Sequence, residues 1–186
     1  MKRPVWLLIG VVLAVAVAWF ALRPGGSGNL TADLVELFPT DAVTQRRPNP
    51  ETFQVVQATL AGDTRPAILA KESSRIVYRV QVPDNGELRV GLGLQEEAWT
   101  IQGDGVLFRI LIAAGGPPEE VLNLVINPFG NPNDRVWHDI SIDLSEYAGE
   151  TIELFFNTNA SPPARPPVND TNGDLALWGA PGVYAR

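Results

Sequence analysis

Residues 136–156 read VWHDISIDLSEYAGETIELFF, two alternating stretches on either side of a turn. In VWHDISIDL, Val136, His138, Ile140, Ile142 and Leu144 share one parity, while Trp137, Asp139, Ser141 and Asp143 share the other. A strand sends successive side chains to opposite faces, so the first set reads as a buried face and the second as a wet one. Ser145 can then accept from backbone N–H groups two or three residues on, and Gly149 can close the turn with a positive φ. TIELFF starts the next strand, and Tyr147 tucks its ring under the end of the structure between them. The stretch also holds the only histidine, next to Trp137 and Asp139. Parity separates this apparent cluster. His138 falls on the apolar face as a hydrogen-bonded edge residue, and Trp137 on the polar face, either under a loop or as a stacking surface.

The same grammar extends outward. In SRIVYRVQV, Ile76, Tyr78, Val80 and Val82 alternate with Arg75, Val77, Arg79 and Gln81. FQVVQATL, RPAILAK, ELRVGLGL, GVLFRILI, VLNLVI and LALWGAPGVYA are further short apolar runs, separated by turn signals such as Pro83-Asp84-Asn85-Gly86. With no amphipathic helix between them, these runs predict an all-β, antiparallel β-sandwich over residues 53–186. The content of 17 glycines and 16 prolines suits many turns.

Upstream the composition changes twice. Lys2 and Arg3 precede an uncharged apolar run from Val5 to Leu22, ended by Arg23, Pro24 and two glycines. At about 1.5 Å per residue this run comes close to crossing a hydrocarbon core of about 30 Å. It reads as a single transmembrane helix over residues 1–23, with a cleaved signal peptide as the alternative. Trp19-Phe20-Ala21-Leu22 continues the apolar run past the small-residue site Ala16-Val17-Ala18, which favours an uncleaved anchor. The basic flank then stays cytoplasmic and the rest is extracytoplasmic, giving a single-pass protein of the cell membrane. Residues 24–52 read as a juxtamembrane linker holding a short helix, TADLVELF, capped by Thr31.

Charge and residue types exclude several function classes. The net charge is −7, and Lys2, Arg3 and Arg23 all belong to the first segment, so the remainder is more acidic still. Such a domain repels phosphate backbones, which argues against nucleic acid as a partner. Without cysteine there is no disulfide, thiolate metal site or cysteine nucleophile. One histidine leaves only carboxylate chemistry, and the acidic residues form no convergent pair, so no catalytic residue is expected. Gly103-Asp104-Gly105 lacks the lysine and helix of a phosphate loop and reads as a tight turn.

Four segments together carry a family resemblance. GDTRPAILAKESSRIVYRVQVP, ELRVGLGLQEEAWTIQGDGVLFRILI, WHDISIDLSEYAGETIELFF and GDLALWGAPGVY, in this order, resemble the galactose-binding-like jelly-roll modules. Similar modules are the carbohydrate-binding-module type appended to exported or membrane-bound bacterial proteins. The resemblance implies a jelly-roll fold and a non-catalytic role. Its partner would be a glycan or, alternatively, an envelope or membrane protein on which the sandwich docks as a structural subunit. For a glycan, Trp137, Asp139 and Trp99 are the candidate contacts, since aromatic faces suit the C–H surface of a sugar ring. No cofactor is expected, with calcium as the one metal the sequence admits. Asp170, Asn172 and Asp174 alternate as a calcium loop begins, but Leu175 stands where glycine should follow and no acidic residue closes the loop.

Overall fold

The computed structural model describes residues 28–71, 73–160 and 170–186. The predicted anchor over residues 1–23 lies outside them. Among the described residues no helix is long and apolar enough to cross a membrane.

Eleven strands form two antiparallel sheets: β1 (Asn29–Asp33), β2 (Val43–Arg47), β3 (Phe53–Leu60), β4 (Asp63–Ala70), β5 (Ser74–Gln81), β6 (Gly86–Leu94), β7 (Val106–Ala113), β8 (Glu119–Ile126), β9 (His138–Asp143), β10 (Thr151–Asn159) and β11 (Ala176–Ala185). A six-stranded sheet runs β3-β4-β11-β6-β9, with β1 also on β11, and a five-stranded sheet runs β2-β5-β10-β7-β8. The period-two segments supply the inner faces. Tyr78, Phe108, Phe156 and Trp178 are fully buried there. Trp178 meets Phe156 and Phe108 edge-on, with ring centroids 4.9 and 5.0 Å apart, a geometry worth about 0.5–1.5 kcal/mol per pair beyond area burial. The Tyr78 hydroxyl donates to the Leu34 carbonyl at 2.8 Å, and burial pushes its pKa up.

The N-terminal boundary needs correction. Residues 24–52 are not merely a linker, because β1 pairs with β11 and β2 with β5. The helix expected over TADLVELF is absent: Asn29–Asp33 is strand, and only one turn follows. In that turn Leu37 N–H donates to the Asp33 carbonyl at 3.0 Å, and the cap is the Asp33 carboxylate, accepting from Val35 and Glu36. Thr31, the expected cap, instead donates to the Val183 carbonyl at 2.9 Å. So short an isolated helix is marginal, and strand pairing with β11 prevails.

The DLSEYAG connector is a 3-10 turn over Ser145–Tyr147, closed by Gly149 at φ 78°. Its oxygen cap comes from Asp143, whose Oδ1 accepts from the Ser145 N–H at 2.9 Å, and not from Ser145. The Ser145 hydroxyl, which also donates to Asp143 Oδ1, the Ser145 N–H and Arg186 together depress the Asp143 pKa to about 2.

A second, smaller apolar cluster sits on the outer face of the six-stranded sheet. Ala58, Leu60, Ala67, Leu69, Trp137 and Leu177 are buried there, with Val56, Trp99 and Leu175 partly covered. The β3–β4 hairpin bends over this face. Glycines at positions 91, 93 and 179 make room for it: a Cβ on Gly179 would lie 2.5 Å from Trp137 Cζ3, and one on Gly91 2.7 Å from an Arg65 nitrogen. The two sites in β6 share one parity, as close packing on a single face requires.

Candidate functional site

The loop between β6 and β7 organises the surface next to this outer cluster. After Leu94 the chain makes a 3-10 turn over Glu96–Thr100. Three hydrogen bonds fasten that loop to its surroundings. Gln95 N–H donates to the Leu175 carbonyl at 3.0 Å, Trp99 Nε1 to the Leu94 carbonyl at 3.1 Å, and an Arg135 nitrogen to the Trp99 carbonyl at 3.3 Å. Between this loop and β3 lies a cleft of ≈ 220 Å³, lined by Gln57, Thr59, Gln95, Glu96 and Glu97 around Ala58 and Leu177. The lining is mostly polar, since Ala58 and Leu177 are themselves buried, and the Thr59 hydroxyl is shared with that of Thr64 at 2.7 Å. Amides and the hydroxyl both donate and accept, and carboxylates accept. This inventory suits a neutral polyhydroxylated ligand and disfavours an anion. The volume is smaller than the roughly 300–1,000 Å³ of drug-sized pockets, so it fits one small unit.

None of the sequence candidates lines this cleft. Trp137 is 8% exposed, with its indole N–H donating to the Asp63 carbonyl at 3.0 Å. The Arg65 guanidinium stacks over its ring at 5.2 Å. Of its two expected positions, under a loop or as an open platform, it takes the first, under the β3–β4 hairpin. Asp139 points to the same face, as parity requires, but is bound by Arg65, which also grips Asp63 at 2.7 Å. Trp99 is half-buried against the same outer cluster, with its N–H satisfied internally. His138 lies on the inner parity, opposite Leu92. It is not the hydrogen-bonded residue expected, because its Nε2 stays 3.7 Å from Asp134 Oδ1 without a hydrogen bond.

The residues of the expected calcium set lie on the loop that leads into β11. Asp170 Oδ1 accepts from the Asn172 N–H at 3.0 Å, closing a local turn on itself. The Asn172 carbonyl packs against Gly103, where a side chain would collide with it. Asp174 turns inward, 4% exposed, and neither carboxylate oxygen has a hydrogen-bond partner. Burial, reinforced by the negative charges of Asp104 and Asp170, pushes its pKa up to about 7. Among the described residues no three His, Asp or Glu side chains are placed to hold a metal.

No family model matches the chain. An uncharacterized protein of Archaeoglobus fulgidus is 32% identical over 155 residues, covering 81% of this chain and 36% of the relative. The chain therefore spans about a third of that relative's length. Among solved structures, the CBM51 module of a Clostridium perfringens GH95 protein in complex with methyl-galactose superposes with a TM-score of 0.55 at 14% identity, covering 83% of this chain and 99% of that one. The Clostridium perfringens ZmpB structure, an M60 catalytic domain with CBM51-1 and CBM51-2 domains, gives 0.56 at 14% identity, covering 83% of this chain and 15% of that one. The two-sheet antiparallel architecture and these superpositions agree: this chain has an antiparallel jelly-roll β-sandwich fold similar to that of CBM51 modules.

Proposed function

We propose that this protein is a non-catalytic glycan-binding module, held at a cell membrane by its N-terminal segment with the sandwich on the extracytoplasmic side. The observation that carries the reading is the cleft between β3 and the β6–β7 loop. Its lining residues Gln57, Gln95, Glu96 and Glu97 supply the donors and acceptors that the hydroxyls of a single sugar residue require. The fold supports it, since one structural neighbour of the same architecture was solved with methyl-galactose. The extent of Val5–Leu22 and its basic flank support the anchor. Retention of neutral glycans by the full-length chain tests the binding role, and mass spectrometry of the mature N-terminus tests the anchor. A mature chain that starts at Trp19 or later would remove the anchor from the account.

A further inference from the structure

The cleft between β3 and the β6–β7 loop is polar in a one-sided way. Its lining holds two carboxylates, Glu96 and Glu97, beside the amides of Gln57 and Gln95. Among the described residues that line it, none is a lysine, arginine or histidine. Arg135, which is bonded to the same loop, donates instead to the Pro128 and Trp99 carbonyls. Neither glutamate carboxylate has a hydrogen bond or ion pair among the described residues. Several other surface carboxylates meet a cation of their own. Arg65 pairs with Asp63 and Asp139, Arg109 with Glu120, and Arg186 with Asp143. The cleft is thus a concave, negative surface with no counter-charge built into its wall.

The backbone that carries this charge is fixed. Gln95 N–H bonds the Leu175 carbonyl on one side of the glutamates, and Trp99 Nε1 bonds the Leu94 carbonyl on the other. A neutral sugar can satisfy such acceptors through its hydroxyls, but it leaves both charges uncompensated. A uronic or sialic acid would add a further negative charge and be repelled. A sugar with a free amine brings an ammonium group, which supplies three donors and the missing counter-charge together. Hydrogen bonds of that kind are about twice as strong as neutral ones. Both carboxylates are exposed, so pairing them requires little desolvation. The gain is modest for the same reason, about 1.4- to 5-fold in affinity for each exposed pair.

We propose, on the footing of this cleft's glycan-binding role, that it selects glycans bearing an unacetylated amino sugar over their neutral and anionic counterparts. The ammonium sits between Glu96 and Glu97, and the Gln57 and Gln95 amides take the neighbouring hydroxyls.

Calorimetric titration of the full-length chain in detergent compares the methyl glycosides of galactosamine and galactose, and of glucosamine and glucose. Low salt and about pH 6 keep a free amine protonated and a free carboxylate ionised. In at least one pair the amino sugar should bind at least about threefold tighter than its hydroxyl counterpart. That advantage should shrink at about 0.5 M salt. In the double variant Glu96→Gln, Glu97→Gln the ratio should fall to about one. Its unfolding midpoint should hold, since neither side chain has a partner within the chain to lose. Equal affinity of the wild type for amino and hydroxyl sugars would overturn the selection and leave the glycan-binding role standing. Binding of neither kind of sugar would remove both. A ratio that survives in the double variant would trace the preference to the acidity of the whole domain and overturn the site.

Discussion

Replacing Trp137 with alanine separates packing from recognition on the outer face. The indole is 8% exposed, bonds Asp63 and underlies Arg65. Truncating a buried tryptophan costs about 3–5 kcal/mol. The orphaned Asp63 carbonyl and the lost Arg65 stacking place this case near about 4 kcal/mol. With a urea dependence of about 2 kcal/mol per M, the unfolding midpoint should fall by about 2 M with an unchanged slope. Trp137→Phe keeps most of the packed area and loses only the N–H, so it should cost about 1–2 kcal/mol. Chemical denaturation followed by fluorescence of the other tryptophans measures both. A Trp137→Ala midpoint shift equivalent to less than about 0.5 kcal/mol, the range of ordinary surface substitutions, would refute the packing. If glycan retention were then lost, Trp137 would be the open platform after all.

Other predictions concern Asp174 and the N-terminus. The folded pKa of Asp174 is raised to about 7, so the folded state keeps a proton that the unfolded chain releases in the ordinary carboxylate range. Stability from this group is complete below that range and is lost as pH rises to about 7. Asp174→Asn should therefore gain on the wild type in thermal midpoint between about pH 4 and about pH 8. A variant that instead loses ground at the higher pH, or a wild type stabilised by added calcium, would show that the ionised carboxylate has a partner. Mass spectrometry of the mature N-terminus should find the chain uncleaved, and a start at Trp19 or later would contradict the anchor.

The opening stretch shows what sequence can reveal here. Its parity predicted that His138 and Trp137 would face opposite sides of the sheet, and they do, because a period of two is a property of any strand. It could not tell what covers Trp137, since the cover is the tip of the β3–β4 hairpin, far away along the chain. A signal for it existed in Gly91 and Gly93: glycines two apart in a strand mark a close approach on one face. Thr31 and Ser145 were reasonable caps by residue type, yet Asp33 and Asp143, each within two residues, took the role. Which of several neighbouring oxygens caps a turn depends on backbone geometry that composition does not encode. The cleft was least legible. Gln95, Glu96 and Glu97 read as a polar loop, and Gln57 and Thr59 as the wet side of a strand, until the bend of the hairpin brought them together.

The central claim, glycan binding in that cleft, is tested most directly by calorimetric titration of the full-length chain with neutral oligosaccharides, galactosides first. Each measurement is paired with the double variant Gln95→Ala, Glu97→Ala. These two side chains are on a loop whose backbone bonds hold it in place, so the variant should fold with an unchanged unfolding midpoint. The account predicts saturable binding by the wild type and at least a tenfold loss in the variant, about 1.4 kcal/mol. Binding that is equally strong in both proteins, or no binding of any glycan by the wild type, would contradict it.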